Sequence, residues 1–370
     1  MGVLIDGIEQ GIAKRDEKGR KGARMHILHI HNINKVAETF GRELAQRGHS
    51  FSLYHPDLAG SGASLPVKIA QMPKRLFSLR DIVRDLRSDK FDIAHIHWAS
   101  YGFLGLTANI PFIIECHGDD VRHRLNHPLF RLPLRTFLQK ASAVICITPD
   151  LLPVVRSVTA DVFFIPGPID TTRFAPEEEE QVAQGHPCSP RSLLLFTRLD
   201  PDKGCDIALQ GIEQFSTRHP DVCVKLLAWG VLAHEYEQRY RGRFEFIAPV
   251  ASDEVHRLIQ SADIVVGQMR SGALGLSELQ AMSCGKPVIT SFLYDGEYPT
   301  PPPRCQATNA QELEQHLEHL YQHPEVGVAL GREARAWIIR NHSTQVLTNR
   351  LEELYFSTVK QHYEVDTVCG

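Results

Sequence analysis

Short apolar runs recur along the chain, separated by longer segments in which apolar residues return at helical spacing. Residues 25–31 (MHILHIH), 50–54, 91–97 (FDIAHIH), 112–116 (FIIEC), 143–148 and 162–165 (VFFI) read as short buried strands. Between them, 36–47, stopped by Gly48, and 76–88, with Arg and Asp on its outer face, read as helices. The alternation restarts after residue 190, with strands at 192–197, 222–228, 244–247, 264–267 and 287–290. Helices fall at 205–216, 252–260 and 277–283, and 311–360 is largely helical. Strands alternating with helices predict an α/β fold of parallel sheets covered on both faces, in two similar halves.

The segment 175–191 (APEEEEQVAQGHPCSPR) breaks the pattern, acidic first and then rich in Pro, Ser and Gly, and reads as the domain linker. Residues 1–24 end in a mixed-charge run and read as a flexible leader. The expected domains are therefore 25–175 and 190–344. The length of 370 residues agrees with two domains, at roughly 100–200 residues each. At 43% hydrophobic and 23% charged residues, the chain has ample material for two cores. A net charge of -4 argues against holding nucleic acid by bulk charge. No apolar run approaches the roughly 20 residues of a membrane span, and the N-terminus lacks the pattern of a secretory signal. The 8 cysteines are scattered without a CxxC pair, which fits neither zinc nor disulfides and suggests reduced thiols in the cytoplasm.

Two segments carry chemistry. Arg198-Leu-Asp-Pro-Asp-Lys203-Gly204 follows a strand and precedes a helix. Ligands of open α/β sheets bind beyond the carboxyl ends of strands, so Arg198 and Lys203 stand where a diphosphate would bind. The bland reading, which spacing leaves open, is a solvated turn in which Asp200 and Asp202 pair with those cations. In 271–287 (SGALGLSELQAMSCGKP), a glycine-bearing loop enters a helix marked by Ser277 and Gln280 at capping-box spacing. Gln280 either caps that helix or bonds a ribose, and Gly285-Lys286-Pro287 reads as a tight turn.

The pair of segments resembles the C-terminal half of the retaining glycosyltransferases of family four, which share the two-domain GT-B fold. Thr197-Arg198 and Lys203-Gly204 match one family motif. Gly275-Leu276, Ala281-Met282, Cys284-Gly285 and Pro287-Val288 match another. Leu44-Ala-Gln-Arg-Gly48-His49, Phe91-Asp-Ile-Ala-His95-Ile-His97, His117-Gly118-Asp119-Asp120 and Ile165-Pro-Gly-Pro-Ile-Asp170 resemble further motifs in the family's order, over roughly residues 25–360. Aligned on Ala281-Met282, the two family glutamates fall on Gly272 and Gln280. Glu278 stands two positions from Gln280, about 200° round a helix, and does not replace that glutamate.

The resemblance implies a glycosyltransferase that moves a sugar from a nucleotide-diphosphate sugar to an acceptor hydroxyl. It implies retention of configuration, no cofactor beyond the donor and no metal; no metal-ligand spacing is visible along the chain. Two Rossmann-like domains would face a cleft, an acceptor half first and a donor half second, with helix 345–365 crossing back to the first. His117, Arg198 and Lys203 are the expected catalytic residues. Gly272, Leu274, Gly275, Leu276, Gln280 and Val250 are the expected donor contacts. Asn32, Lys35, His97 and Asp119 are expected on the acceptor side, where Asn32-Ile-Asn-Lys35 replaces the Gly-Gly pair of many members. The missing glutamates also admit a degenerate GT-B protein that binds nucleotide or glycan without transfer. A GT-B nucleotide-sugar epimerase is a third reading. Finally, 121–149 carries Arg122, Arg124, Arg131, Arg135 and Lys140 among apolar residues and no acidic one before Pro149. It reads as a helix pair docked on its own domain with a basic outer face, or as a peripheral surface for anionic lipid or an anionic acceptor.

Overall fold

The structure, a computed structural model, describes residues 24–56, 72–177 and 192–368. Residues 1–23 of the expected leader and 178–191 of the expected linker lie outside the described residues. The chain divides into two compact units, residues 1–168 with 347–370, and residues 169–346.

In the first unit, β1 (His26–Ile30), β2 (Ser50–Tyr54), β3 (Ile93–His97), β4 (Phe112–Cys116), β5 (Ala143–Cys146) and β6 (Val162–Phe164) form one parallel sheet in the order β2-β1-β3-β4-β5-β6. Successive side chains of a strand point to opposite faces. Accordingly Leu28, Ile30, Ala94, Ile96, Ile114 and Val144 feed one core, while Ile27, Ile93, Ile113, Ala143 and Ile145 feed another. Helices α1 (Val36–Gln46), α2 (Met72–Leu86), α3 (Gly102–Gly105), α4 (Pro128–Lys140) and α5 (Leu152–Arg156) link these strands. Val36, Phe40 and Leu44 of α1 recur every four residues and bury on the second core. The basic stretch 121–149 holds a single helix, α4, between a 3-10 turn at Arg124–Asn126 and β5, rather than the expected helix pair.

The second unit repeats the plan. Strands β7 (Ser192–Leu195), β8 (Cys223–Leu227), β9 (Glu245–Ile247), β10 (Ile264–Val266), β11 (Val288–Thr290) and β12 (Cys305–Gln306) run parallel in the order β12-β11-β10-β7-β8-β9. Helices α6 (Cys205–Arg218), α7 (Ala233–Arg239), α8 (Val255–Gln260), α9 (Leu276–Ser283), α10 (Ala310–Gln322) and α11 (Pro324–His342) cover it. Again the strand faces separate, Leu193, Leu195, Ile264 and Val266 to one core and Leu194, Phe196 and Val265 to the other.

One boundary differs from expectation. The second unit begins at Ile169, ahead of the acidic stretch. Phe174 is buried in its core, and its carbonyl accepts bonds from Ser283 Oγ and, at 3.1 Å, Arg335 Nη1. At the far end, α12 (Thr344–Val368) belongs to the first unit from Leu347 on. Its Leu347, Leu351, Leu354 and Tyr355 fill the same core as Ile27, Phe40 and Leu44. Glu352 of α12 meets His49 at 2.7 Å and Arg47 at 3.0 Å. No helix among the described residues is long and apolar enough to cross a membrane.

Candidate functional site

In the second sheet, β7 lies between β10 and β8. Its connections therefore leave in opposite directions, which opens a crevice beyond the carboxyl ends of β7 and β10. Arg198 and Lys203 follow β7, and the glycine-bearing loop follows β10. The two loops are tied together: Met269 N donates to Lys203 O at 2.8 Å, Arg270 Nη1 donates to Pro201 O at 2.7 Å, and Arg270 pairs with Asp206 at 2.8 Å. The turn closes at Gly204, whose φ of +69° opens α6, and a Cβ there would meet Arg270 at 3.0 Å. Both cations pair locally, Arg198 with Asp200 and Lys203 with Asp202 at 3.2 Å. Asp200 also accepts Val231 N at 2.7 Å.

The start of α9 differs from expectation. The helix begins at Leu276, with Gly275 as the N-cap, so the cap pairing is Gly275 with Glu278 rather than Ser277 with Gln280. Glu278 is buried; its Oε2 accepts Gly275 N at 2.9 Å and its Oε1 accepts Gln268 N at 2.8 Å. Burial raises the pKa of its carboxyl, opposed by the N–H groups of Gln268, Glu278 and Gly275 and by the charge of Lys203. Gly275 N–H is thus turned inward and is not free for a phosphate. Leu274 is a core residue at 4% exposure. Gly272 has a φ of +68°, and its carbonyl accepts Leu293 N at 2.9 Å, so it can meet a donor only through its backbone. The Gln280 side chain, half-buried, makes no hydrogen bond among the described residues, and Val250 lies just beyond β9, two strands from β7.

In the first unit the corresponding crevice lies beyond β1 and β3, because β1 is flanked by β2 and β3. The loop after β1 runs through the left-handed region without glycine at His31 (φ 73°), Asn34 (φ 49°) and Lys35 (φ 61°). Such backbone is strained and collects at functional sites. Asn32 Oδ1 accepts Glu38 N at 3.3 Å, and Lys35 is exposed. Behind the crevice, polar residues continue the inward row set by Ile27, Ile93 and Ile113. They are His29, His95, His97, Glu115 and, just past β4, His117. Glu115 Oε1 lies 3.3 Å from His97 Nδ1 and 3.0 Å from His117 Nε2, and its Oε2 lies 3.2 Å from His95 Nε2. His29 Nδ1 meets His97 Nε2 at 2.9 Å, and Tyr355 Oη of α12 meets His95 Nδ1 at 2.6 Å. Burial, with the neighbouring His95, lowers His97 to about 3, and burial with His97 and His95 lowers His29. Burial alone would raise Glu115, but His97 and the hydrogen bonds from His117, His95 and His97 hold it well below the usual range. The trios His29/His95/His97 and His97/Glu115/His117 each bring ligand atoms within 4.8 Å of one another, a grouping that could hold a metal and that no spacing along the chain revealed.

Two family models match this chain, Glycosyltransferase Family 4 over residues 33–173 and Glycosyl transferases group 1 over residues 190–323. The chain is a glycosyltransferase, with a family-four match in its first half and a group 1 match in its second. The glycosyltransferase is 22% identical over 334 residues to a D-inositol 3-phosphate glycosyltransferase of Pseudarthrobacter chlorophenolicus, covering 76% of this chain and 74% of that one. Its fold is the GT-B fold. Sucrose-phosphate synthase of Thermosynechococcus elongatus is similar with a TM-score of 0.69 at 15% identity, over 90% of this chain and 98% of that one. Anabaena Alr3699/HepE in complex with UDP-glucose is similar with a TM-score of 0.68 at 15% identity, over 90% and 100%.

Among the expected site residues of this glycosyltransferase, the fold brings Arg198 and Lys203 beside the 268–276 loop. It places His117 against Glu115 with a side chain 2% exposed. His97 is corrected: it is fully buried with both ring nitrogens engaged, so it offers nothing to an acceptor. Asp119 is exposed and pairs with Arg122 at 3.5 Å, whereas Asp120 is buried and accepts the N–H groups of Ala99, His117 and Gly118. Sequence reasoning missed Glu115, His29, His95 and Tyr355. The available signal was polar residues of one parity inside three apolar strands, I-x-H, I-x-H-x-H and I-x-E-x-H. On α4, Leu134 and Leu138 are buried, while Leu129 (71% exposed), Leu132 (72%) and Phe130 (41%) face outward beside Arg131 and Arg135.

Proposed function

We propose that this glycosyltransferase moves a hexosyl group from a nucleotide-diphosphate sugar to an acceptor hydroxyl, with retention of configuration and without a metal. The observation that carries the reading is the hydrogen-bonded junction of the Arg198–Gly204 turn with Met269 and Arg270, in the loop that leads into α9, at the crevice of the second unit. Bond breaking leaves growing negative charge on the diphosphate, and preorganised cations and helix N–H groups are what lower that barrier. On binding, Arg198 and Lys203 exchange Asp200 and Asp202 for phosphate oxygens, Arg by its planar fork and Lys as a point charge. Leu276 and Ser277, in the first turn of α9, have N–H groups with no acceptor inside the helix. The Gln280 side chain takes a ribose hydroxyl, and the 248–250 loop with Val250 borders the base. The first unit serves the acceptor, through Asn32, Lys35 and Asp119, and supplies His117 to the reacting sugar.

In the proposed step the bond from the anomeric carbon to the phosphate oxygen breaks, and its electron pair leaves with the nucleoside diphosphate. The acceptor oxygen bonds the same face of that carbon, and its proton passes to the departing phosphate oxygen. UDP-sugars come first in the search for the donor, since the similar Anabaena protein holds UDP-glucose. Inositol phosphates come first for the acceptor, following the named relative. The proposal places the protein in the cytoplasm, with the outward leucines and arginines of α4 resting on anionic lipid.

The test is transfer and donor hydrolysis across UDP-, GDP-, ADP- and dTDP-sugars in the presence of a chelator. The expected result is turnover with one donor, reduced at least about tenfold in Arg198→Ala and Lys203→Ala, a barrier change of about 1.4 kcal/mol. Tight nucleotide binding without turnover on any donor would sink the reading.

A further inference from the structure

The contacts around Glu115 determine where the protons of four imidazoles sit. An ionised carboxylate can only accept hydrogen bonds. A carboxylate oxygen 3.0–3.3 Å from a ring nitrogen favours a proton there over a bare lone pair even where, as for His95 and His117, the approach is off the hydrogen-bond axis, so the nitrogens nearest Glu115 carry protons. That makes His95 the Nε2–H form, His97 the Nδ1–H form and His117 the Nε2–H form. A neutral imidazole then has a bare nitrogen on its other side. For His95 that nitrogen accepts from Tyr355 Oη, and for His97 it accepts from His29 Nδ1–H. Every contact in the cluster then has one donor and one acceptor. Two bare nitrogens are left over, Nε2 of His29 and, past the end of β4 on the crevice side, Nδ1 of His117; both are buried and have no partner. An unpartnered buried acceptor carries a desolvation cost that a hydroxyl donor relieves.

We propose that Glu115 is a positioning residue that holds His117 in its Nε2–H tautomer, so that His117 Nδ1 presents a lone pair to a sugar hydroxyl. The inference rests on the reading above that His117 serves the reacting sugar. It goes beyond that reading by assigning which nitrogen acts, in which proton state, and what fixes it. A tautomer set by a buried carboxylate costs no reorganisation when substrate binds, unlike an imidazole that must first move its proton.

The experiment is long-range proton–nitrogen NMR of the full chain labelled at histidine nitrogens, with the His117 signals identified by their loss in His117→Ala. The wild-type protein is expected to show His117 protonated at Nε2 alone. In Glu115→Gln the amide presents N–H hydrogens to at least one ring, and His117 is expected to populate the other tautomer. Turnover should fall about tenfold or more with KM for the donor changed less than about twofold. Glu115→Asp, which keeps the charge, should recover part of the turnover and the Nε2–H signal. A wild-type His117 protonated at Nδ1, or a tautomer unchanged in Glu115→Gln, overturns the proposal. A stoichiometric divalent metal in the purified protein overturns it as well, because a metal takes the lone pairs this assignment leaves to hydrogen bonds. Full turnover in His117→Ala overturns instead the site reading beneath it, and the spectra still decide the tautomer. The wild-type spectrum needs no variant to fold.

Discussion

Glu278 Oε2 accepts the backbone N–H of Gly275 at 2.9 Å, three residues back along the chain. Its other oxygen holds Gln268 N, so one buried carboxylate clamps both ends of the loop that leads into α9. Glu278→Ala leaves one buried and one part-buried N–H group unsatisfied, each at a cost of about 1–3 kcal/mol. The expected outcome is a loss of about 2–6 kcal/mol in denaturant unfolding, together with weaker nucleotide binding by calorimetry. Glu278→Ala matching wild type in both would show that the loop does not depend on this clamp.

Gly272 occupies a family glutamate position, and restoring a side chain there is expected to harm. Its φ is +68°, and a Cβ would meet Leu293 Cδ1 at 2.8 Å. Left-handed backbone alone costs an L-residue about 1–2 kcal/mol. Gly272→Ala should therefore lower stability by at least that much, and Gly272→Glu should lower it further without raising turnover. Faster transfer in Gly272→Glu would mean that the loop re-forms to the family's shape.

Acid should destabilise the first unit through its histidines. His29 is lowered below 6.5 and His97 is lowered to about 3, so between those values and 6.5 the unfolded chain binds protons that the folded chain refuses. This stability is fully present above about pH 6.5 and is lost as pH falls, by up to about 1.4 kcal/mol per pH unit for each ring. Urea midpoints at about pH 7.5 and about pH 5 measure the slope. His97→Asn should flatten it; a midpoint that does not move between the two conditions contradicts the burial of neutral rings.

The outward face of α4 should bind vesicles. Leu129 and Leu132 are 71% and 72% exposed, so Leu129→Ser with Leu132→Ser is expected to leave thermal stability within about 0.5 kcal/mol. Co-sedimentation with vesicles containing anionic lipid should fall at least about threefold in the double variant, and Arg131→Glu with Arg135→Glu should abolish the lipid-charge dependence. Equal binding to neutral and anionic vesicles, or none, removes lipid from the proposal.

Much of the molecule was legible from local pattern. Strand 112–116 matches its expected bounds because a short apolar run between turn residues buries itself as an interior strand, and 50–54 matches as the half-buried edge strand β2. The position of Arg198 and Lys203 after a strand was legible for the same local reason. What escaped were small elements whose form depends on neighbours, such as the two-residue β12, which pairs with β11, and the single turn of α3.

The sequence by itself determined the α/β alternation, the family motifs and the residues available for phosphate chemistry, since each depends on spacing within a few turns of chain. Only the tertiary structure decided which carboxylate caps α9, that position 272 takes a left-handed backbone, and that Glu115, three strands' histidines and Tyr355 form one network. Those contacts join residues up to 260 apart, such as His95 and Tyr355. Their chemistry is set by burial and by which lone pair faces which proton, and neither exists until the sheet has closed over them.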